Sequence, residues 1–239
     1  MYLTSTFHSL LAMALTLAIS GQAAPSQSLT SRATSDLPIT AQLKLANTAT
    51  ERYALLPNDT DFIYDFSATS SNNETALPIA SSQNWPALVG VGLSFSISQL
   101  PACTMSFLHL HPRATELFAL TSGRIQSYMV PETGVLDAAG NQRVVSTELT
   151  PGTVTIYPAG SFHTQVNPDC EAANFTAAFN SEEFAVGLVS ARLFALPDEV
   201  VGRALGGVGA EEVRRIRGLV PDEAALVVGE CVKKCGLEQ

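Results

Sequence analysis

The chain has 239 residues, of which 46% are hydrophobic and 15% are charged, and its formal net charge is -9. This composition is enough to bury a substantial hydrophobic core. The acidic balance excludes nucleic acid as a partner, because phosphate binding relies on clustered Lys and Arg side chains.

The first 24 residues have the pattern of a secretory signal peptide. An uncharged apolar run covers residues 10–19, and small residues follow it up to Ala24. The run is shorter than the roughly 20 apolar residues that span a membrane, which argues against the alternative of an N-terminal membrane anchor. No other stretch is long enough, so we expect a secreted, extracellular protein without a membrane span. Residues 25–38 predict a flexible leader rich in Ser and Thr.

A short helix and a loop are predicted next. Residues 39–56 contain helix-forming residues, and residues 67–73 are dense in Ser and Asn. Three Asn-X-Thr acceptor sequences for N-glycosylation fit an exported protein; they begin at Asn58, Asn73 and Asn174. The first two lie in polar, turn-rich surroundings and are the expected glycan sites. Asn174 begins an apolar alternating run, so we expect it to stay unmodified.

Short strand-like segments follow from about Trp85 onward. The segment LSFSISQL (residues 93–100) alternates apolar and polar side chains, which is typical of a half-buried strand. Further segments are separated by turns that contain Gly, Pro or Asn: ELFAL, RIQSYMV, RVVSTEL, TVTIYP and NFTAAF. Many short strands without intervening helices predict an all-β domain over residues 39–195, folded as an antiparallel barrel or sandwich.

The pattern changes again after Phe194. Three segments begin with acidic residues, carry apolar residues at helical spacing and have glycines at their ends: PDEVVGRALGG, GAEEVRRIRGL and PDEAALVVGECVKKCG. We therefore expect residues 196–239 to form a C-terminal extension of two or three short α-helices. These helices either pack against the β-domain or contact another subunit.

His109 and His111 are separated by one residue, so in a strand their side chains point to the same side. Glu116 lies an odd number of residues beyond His111 and would face away in one unbroken strand. Pro112 cannot donate to a strand ladder and marks a bulge or turn. The chain can therefore bend there and return the Glu116 carboxylate to the side of the two imidazoles.

A third imidazole comes from a later strand, turn and strand, PGTVTIYPAGSFHTQVN (residues 151–167). Pro158 ends the first strand, Gly160 allows a tight turn, and His163 starts the second strand. Three imidazoles and one carboxylate suit manganese, iron or another first-row divalent ion. Because the set contains no thiolate, it is unlike a structural zinc site. His163 therefore joins the three residues above as a predicted metal ligand.

The spacing of these residues resembles the two sequence motifs of the cupin family. Five residues match the fixed positions of the second motif: Gly152, Pro158, Gly160, His163 and Asn167. Four match the first motif, which departs only at its leading glycine, where this chain has Cys103: His109, His111, Glu116 and Gly123. HPRATE (residues 111–116) is more narrowly similar to germins and spherulins, which are single-domain secreted cupins. CVKKCG near the C-terminus is similar to the end of fungal spherulin-like members.

This resemblance implies a cupin jelly-roll β-barrel with a short N-terminal extension and C-terminal α-helices. It implies that the four ligands hold manganese (Mn²⁺), with Fe²⁺ as the alternative, inside the barrel. Germins assemble through their C-terminal helices, so a homo-oligomer, a trimer or a hexamer, is implied as well. Germin-like cupins oxidise or decarboxylate oxalate or dismute superoxide, which implies a small-molecule substrate.

The resemblance also identifies residues next to the substrate. Oxalate-oxidising germins hold oxalate with two asparagines upstream of the first motif, and an ungapped alignment places Val89 and Ser96 at those positions. Val89 cannot hydrogen-bond oxalate through its side chain, and Ser96 is shorter than Asn, so oxalate oxidation is disfavoured. Asn167 either reaches a bound ligand, orients His163, or hydrogen-bonds its own backbone at a strand end. The sequence assigns no catalytic acid or base.

Four cysteines, Cys103, Cys170, Cys231 and Cys235, allow three complete disulfide pairings that the sequence alone leaves open. In an oxidising compartment we expect them to be paired. In a cupin barrel the two motifs lie on neighbouring strands, so the resemblance implies a disulfide between Cys103 and Cys170. Cys231 and Cys235 would then pair within the helical tail.

Three functional hypotheses follow. The first is a secreted germin-type manganese oxidoreductase that acts on superoxide, oxalate or another small oxygenated acid, and the full ligand set favours it. The second is a metal-dependent dioxygenase or isomerase that acts on a secondary metabolite, which the apolar segment LVGVGLSFSI (residues 88–97) favours. The third is a non-enzymatic structural or stress-related extracellular oligomer in which the metal serves stability.

Overall fold

The computed structural model describes residues 36–69, 78–221 and 225–237. The predicted signal peptide, the leader up to residue 35 and the Asn73 sequon lie outside these ranges. None of the helices within them combines the length and the apolar character of a membrane span.

Two short helices, α1 (Ile39–Leu45) and α2 (Ala49–Ala54), lie near the start of the described chain. The sequence predicts one helix here, and the structure divides it at residues 46–48. A capping box explains the division. The Thr48 side chain accepts a hydrogen bond from the Glu51 N–H, and the Glu51 carboxylate accepts one from the Thr48 N–H. Thr48 therefore starts a second helix instead of continuing the first.

The β-domain consists of short strands that pair antiparallel throughout the described residues. In chain order the strands are β1 (Ile79–Ala80), β2 (Ser94–Leu100), β3 (Thr104–Ser106), β4 (His109–Leu110), β5 (Glu116–Ser122), β6 (Ile125–Val130), β7 (Val145–Leu149), β8 (Val154–Tyr157), β9 (Phe162–Val166), β10 (Ala173–Phe179), β11 (Gly187–Leu188) and β12 (Ala225–Val227).

These strands form two sheets. The five-stranded sheet has the order β1, β2, β10, β5, β8, and the seven-stranded sheet has the order β11, β4, β9, β3, β12, with β6 joining β9 to β7. Both sheets contribute side chains to one buried cluster: Leu100, Phe118, Leu120, Ile125, Leu149, Tyr157, Ala173 and Phe175. The all-β prediction is therefore confirmed, in the form of a sandwich with a common interior.

The predicted alternation of β2 is present, but its polar side faces the interior. Ser94 and Ser96 are 2% and 3% exposed, whereas Ile97 is 46% exposed. Each buried hydroxyl donates to a backbone carbonyl, that of Ser94 to Ser181 at 2.7 Å and that of Ser96 to Pro78 at 2.8 Å. These hydrogen bonds offset the cost of removing the hydroxyls from water.

The described part of the tail contains three helices, after a helix α3 (Val189–Phe194) that lies within the predicted β-domain: α4 (Asp198–Ala204), α5 (Ala210–Arg217) and α6 (Gly229–Cys235). Helices were predicted here, but β12 was not. This strand pairs with β3, so the tail extends the seven-stranded sheet. The C-terminal part of the chain therefore contributes to the sandwich itself.

Two disulfides join α6 to the sandwich, Cys103 to Cys231 and Cys170 to Cys235. The predicted pairing of Cys103 with Cys170 and of Cys231 with Cys235 is wrong. The unpredicted strand β12 is the reason, since it leads the Val228 N–H to the Cys103 carbonyl at 2.8 Å and so places α6 beside Cys103. Cys231 and Cys235 are one helical turn apart on the same face of α6, and each bonds to a different loop.

Cys103 stands where the cupin motif has its leading glycine. Its φ is 54°, in the left-handed region that favours glycine. A residue with a Cβ pays roughly 1–2 kcal/mol for this conformation. The backbone at this motif position is left-handed, as the glycine of the motif would allow. In this chain the residue in that conformation is a cysteine that forms a disulfide.

Candidate metal centre

The four predicted ligands come from both sheets. His109 lies on β4 directly opposite His163 on β9, in the seven-stranded sheet. His111 follows β4, and Glu116 is the first residue of β5 in the five-stranded sheet. The bend predicted at Pro112 is therefore the place where the chain crosses from one sheet to the other. Because Glu116 shares its face of β5 with the buried Phe118, its carboxylate points into the interior.

The structure brings the four side chains together. Glu116 Oε2 lies 3.0 Å from His111 Nε2 and 3.2 Å from His163 Nε2. One nitrogen or oxygen atom from each of the four residues lies within 4.8 Å of those of the others. His163, His111 and Glu116 are buried, and His109 is half-buried. Four donor atoms therefore surround one small volume inside the sandwich.

Backbone carbonyls orient the three imidazoles. His109 Nδ1 donates to Phe107 O at 2.7 Å, His111 Nδ1 to Ala185 O at 2.8 Å, and His163 Nδ1 to Ser161 O at 2.9 Å. A carbonyl oxygen can only accept, so the proton of each neutral ring is on Nδ1. The Nε2 lone pairs are then free for a metal ion, and the hydrogen bonds fix the ring orientations.

The charge states also suit metal binding. Burial alone would raise the pKa of Glu116, but the His111 and His163 rings beside it lower that pKa to about 2. Burial, together with the nearby His163, lowers the pKa of His109 to about 4. At neutral pH the site therefore offers an ionised carboxylate and a neutral imidazole at His109, which are the forms that bind metals.

The donor set fits a first-row divalent ion. Three imidazole nitrogens and one carboxylate oxygen suit manganese or iron, and among the described residues no free thiolate competes, because all four cysteines are in disulfides. An ion that prefers about six donors would retain about two positions for water or a substrate. The residues present thus fit the metal that the sequence predicts.

Aromatic rings form the walls of the site. Phe179 and Phe184 pack edge-on against His111, with ring centroids 4.9 and 5.2 Å away. Tyr157 stacks on His163 at 4.1 Å with an interplanar angle of 9°. Burial raises the pKa of Tyr157, and its hydroxyl shares a hydrogen bond with Ser127 at 2.7 Å. Tyr157 therefore stays protonated and supports a ligand ring.

Sequence reasoning assigned no role to these wall residues. The inward orientation of Phe179 could have been predicted, because the alternation in NFTAAF places it on the same face of β10 as the core residue Phe175. Tyr157 directly precedes Pro158 of the second motif, but that position does not reveal the ring stack. Phe184 and Ala185 lie in a loop without periodicity. Ala185 has φ 52°, and this left-handed conformation carries the carbonyl that accepts from His111.

Val89 and Ser96, the two predicted substrate-adjacent residues upstream of the first motif, are buried at 1% and 3% exposure. Ser96 lies opposite Ala177 on β10, and Ala177 lies opposite Phe118 on β5. Ser96 therefore faces the same interior as Glu116, with its hydroxyl donating to Pro78 O. Neither side chain offers a free hydrogen-bond donor to a dicarboxylate.

Asn167 hydrogen-bonds only to backbone. It is fully buried, its side-chain N–H groups face the carbonyls of Leu100, Pro101 and Glu171, and its Oδ1 accepts from the Asp169 N–H. Of the predicted roles, these contacts match hydrogen bonding to nearby backbone. They tie the loop between β9 and β10 to the end of β2.

Polar side chains in the described part of the interior are mostly uncharged types and histidines. The buried polar residues among those described are Ser82, Ser94, Ser96, His111, Glu116, Ser127, Ser161, His163, Thr164, Gln165 and Asn167. No Lys or Arg of the described chain is buried with them. A second negative charge on a substrate would therefore have no buried Lys or Arg of the described chain to pair with.

Comparisons with known proteins agree with this geometry. The family model described as Cupin matches residues 63–214. Spherulin-1A from Physarum polycephalum is 30% identical over 202 residues, which are 83% of this chain and 79% of that protein. Germin-like protein subfamily 3 member 1 from Arabidopsis thaliana is 30% identical over 190 residues, which are 75% of this chain and 86% of that protein.

Solved structures support the same fold. A structure of oxalate oxidase shares 22% identity with a TM-score of 0.58, over 68% of this chain and 82% of that chain. At this identity the likeness concerns the fold alone. Combined with the two sequence motifs and the relatives above, it places the chain in the cupin family, among the spherulin-like and germin-like proteins.

Proposed function

We propose that the chain is a metal-dependent oxidoreductase of germin type that acts on superoxide, oxalate or another small oxygenated acid. Manganese is the proposed ion, with iron as the alternative, and His109, His111, Glu116 and His163 are the proposed ligands. The observation that carries the proposal is the convergence of one nitrogen from each of three oriented imidazoles and one carboxylate oxygen within 4.8 Å of one another.

Each side chain would have a definable task. Glu116 contributes a negative charge that stabilises the higher oxidation state of a bound metal. The three carbonyl partners hold the imidazoles in place without solvent reorganisation, and the aromatic rings at His111 exclude water from one side. A bound manganese ion would supply electron exchange with an oxygen-containing ligand and would polarise a bound carboxylate.

The interior favours a small substrate, and we rank superoxide above oxalate. The described chain has no buried Lys or Arg that could pair with a second carboxylate. Val89 is apolar, and the Ser96 hydroxyl is already bonded to Pro78 O. A substrate that binds mainly through the metal needs no such partners.

An apolar metabolite is the second candidate substrate, and it would make the protein a dioxygenase or an isomerase. The observation that favours it is the apolar wall of Phe179, Phe184 and Val89 around the predicted ligands. Such a wall binds an aromatic or aliphatic group by burial. Oxygen uptake in the presence of aromatic or polyketide compounds would detect this activity.

Export is proposed from the signal-like N-terminus and is supported by the two disulfides, since cytosolic proteins seldom keep such bonds. Asn58 is exposed and suits a glycan. Asn174 is also exposed, on the outward face of β10, where its amide donates to Ser122 Oγ at 2.6 Å. If Asn174 carries no glycan, as the sequence predicts, burial of its side chain is not the reason.

A homo-oligomer, a trimer or a hexamer, is proposed as the working form. The helices of the tail and the turns beside them expose apolar side chains, among them Leu196 (47%), Val200 (50%), Leu205 (39%) and Leu219 (69%). Side chains of this kind at a helical surface support subunit contact.

Metal analysis and activity of the secreted protein test the proposal. We expect about one manganese ion per chain, together with superoxide dismutation or oxalate turnover. His163→Ala should lose both the metal and the activity, because it removes a buried donor. Tyr128→Ala is the control, since Tyr128 lies on β6 opposite the neighbouring residue Thr164 and is 37% exposed.

One outcome would decide against the proposal, and another would decide against the structural alternative. Manganese well below one ion per chain, with no activity after loading with manganese or iron, would exclude the oxidoreductase. If His163→Ala lost the metal but kept the thermal stability and the oligomeric state of the wild type, a purely structural role of the metal would be excluded.

A further inference from the structure

The four cysteines form a second reactive cluster apart from the predicted metal ligands. Cys235 is bonded to Cys170, yet its Sγ lies 3.4 Å from Cys103 Sγ and 3.9 Å from Cys231 Sγ. Cys103 and Cys231 form the other disulfide. One sulfur atom of the first disulfide is therefore in contact with both sulfur atoms of the second.

The two disulfides differ in their access to solvent. Cys103 is fully buried and Cys231 is 7% exposed, whereas Cys170 is exposed and Cys235 is half-buried. Disulfide exchange begins with attack of a thiolate on an accessible sulfur. A thiol in solution would therefore meet Cys170 first and would not reach Cys103.

We propose that this cluster is a thiol–disulfide exchange site that takes a low-molecular-weight thiol at Cys170 and passes the exchange to the buried disulfide. In the first step the external thiolate attacks Cys170 Sγ, a mixed disulfide forms, the bond to Cys235 breaks, and Cys235 leaves as a thiolate. In the second step Cys235 attacks Cys103 Sγ, a bond between them forms, and Cys231 leaves as a thiolate. Cys231 takes up the proton that the external thiol lost, so the number of disulfides stays the same.

The surroundings of Cys231 suit the released thiol. Its Sγ lies 3.3 Å from the Pro168 carbonyl and 3.9 Å from the Asp169 carbonyl, and either oxygen can accept a bond from an S–H group. Cys231 and Cys235 share one face of α6. Cys103 keeps a covalent bond to α6 before and after the second step, so the helix stays attached to the sandwich throughout the exchange.

The first experiment creates the Cys235 thiol without any external thiol. Cys170→Ser is produced in a secretory host, alkylated under acid quench and mapped with trypsin, which separates the two tail cysteines because Lys233 and Lys234 lie between them. We expect two populations, with Cys103 bonded to Cys231 in one and to Cys235 in the other. Cys235→Ser, the control, removes the same disulfide without leaving a nucleophile at position 235 and should show only the bond to Cys231.

Only the Cys103 to Cys231 bond in Cys170→Ser, with Cys235 fully alkylated, would overturn the proposal. A second arm uses the wild-type chain in case the variant does not fold. After brief exposure to glutathione, we expect glutathione on Cys170 and the alkyl label on Cys231. Glutathione on Cys170 with the label on Cys235 alone would show that the exchange stops at the first disulfide, which also contradicts the proposal.

Discussion

At the scale of single residues, main-chain carbonyls fix the orientation of the three histidines among the predicted metal ligands. Each of the three imidazoles donates a hydrogen bond from Nδ1 to a backbone carbonyl. Nε2 is therefore the nitrogen that faces the centre of the site. For His111 that carbonyl belongs to Ala185, in a conformation unusual for a residue with a Cβ. The ligand geometry therefore depends on a loop that has no polar side chain of its own in the site.

Glu116→Gln tests the one anionic ligand with almost no change in shape. The amide is neutral and a poorer donor to a divalent ion, so we expect the affinity for manganese to fall by about 100-fold or more, beyond the effect of removing a typical supporting partner. Equilibrium dialysis followed by metal analysis measures this. Glu148→Gln makes the same chemical change at an exposed residue paired with Arg124 and should bind like the wild type. Equal affinities in the two variants would remove Glu116 from the ligand set.

The pKa of His109 predicts how the metal-free protein responds to acid. Burial, with the nearby His163, lowers this pKa from 6.5 to about 4. The unfolded chain therefore binds the proton first, and stability present above pH 6.5 is lost as the pH falls toward 4. Between pH 6.5 and pH 5 we expect a loss of about 2 kcal/mol in urea unfolding. His109→Gln has no such group, so an equal loss in that variant would contradict the assignment.

At the scale of secondary structure, β2 buries polar side chains and exposes an apolar one, which is the opposite of the usual arrangement. The strand turns its serines inward and exposes Ile97, while Phe95 packs against Phe66 of the N-terminal extension with ring centroids 6.2 Å apart. The sheet therefore carries apolar surface outside as well as inside.

This reversal predicts an unusual pattern of mutational effects. Ser96→Val adds an apolar group to the interior but leaves the Pro78 carbonyl without its donor and crowds the β10 neighbour, so we expect a loss of about 1–3 kcal/mol. Ile97→Thr, the matched change on the exposed face, should cost less than about 1 kcal/mol. Denaturant unfolding of both variants distinguishes a strand with Ser96 inside from a strand with Ile97 inside, which hydropathy alone would suggest. A more harmful Ile97→Thr would show the inverse orientation.

The same strand shows what the sequence could and could not predict. Period-two alternation identified β2 as a strand, but alternation is symmetric, and only tertiary hydrogen bonds from Ser94 and Ser96 choose the inward face. The ligand set was predictable because its spacing repeats two known motifs. Strand β12 was not predictable, because a segment of three residues between helices is too short to show an alternating pattern. Without β12 the disulfide pairing could not be derived.

At the scale of the whole molecule, two exposed apolar surfaces are candidates for the subunit contact of the proposed oligomer. One lies on the tail and includes Val200, and the other lies on the outward face of the five-stranded sheet and includes Leu117, Val154 and Ile156. The proposal above places the contact on the tail helices. The two surfaces can be tested with the same substitution.

Val200→Glu and Val154→Glu place a charge on α4 and β8 at residues that are 50% and 59% exposed. If the helices form the subunit contact, Val200→Glu should yield monomers in light scattering after size exclusion, because burying an unpaired charge is costly. Val154→Glu should keep the wild-type assembly. Monomers from Val154→Glu alone would move the contact to the sheet.

Glu116 belongs to one sheet, whereas His109 and His163 belong to the other and His111 follows a strand of that second sheet. An ion bound by all four would cross-link the two layers, so its binding free energy would be added to the resistance of the fold to unfolding. Above the dissociation constant, each tenfold rise in free metal would add about 1.4 kcal/mol. The lifetime of the molecule in its surroundings would then be set by the mineral content of those surroundings as well as by its sequence.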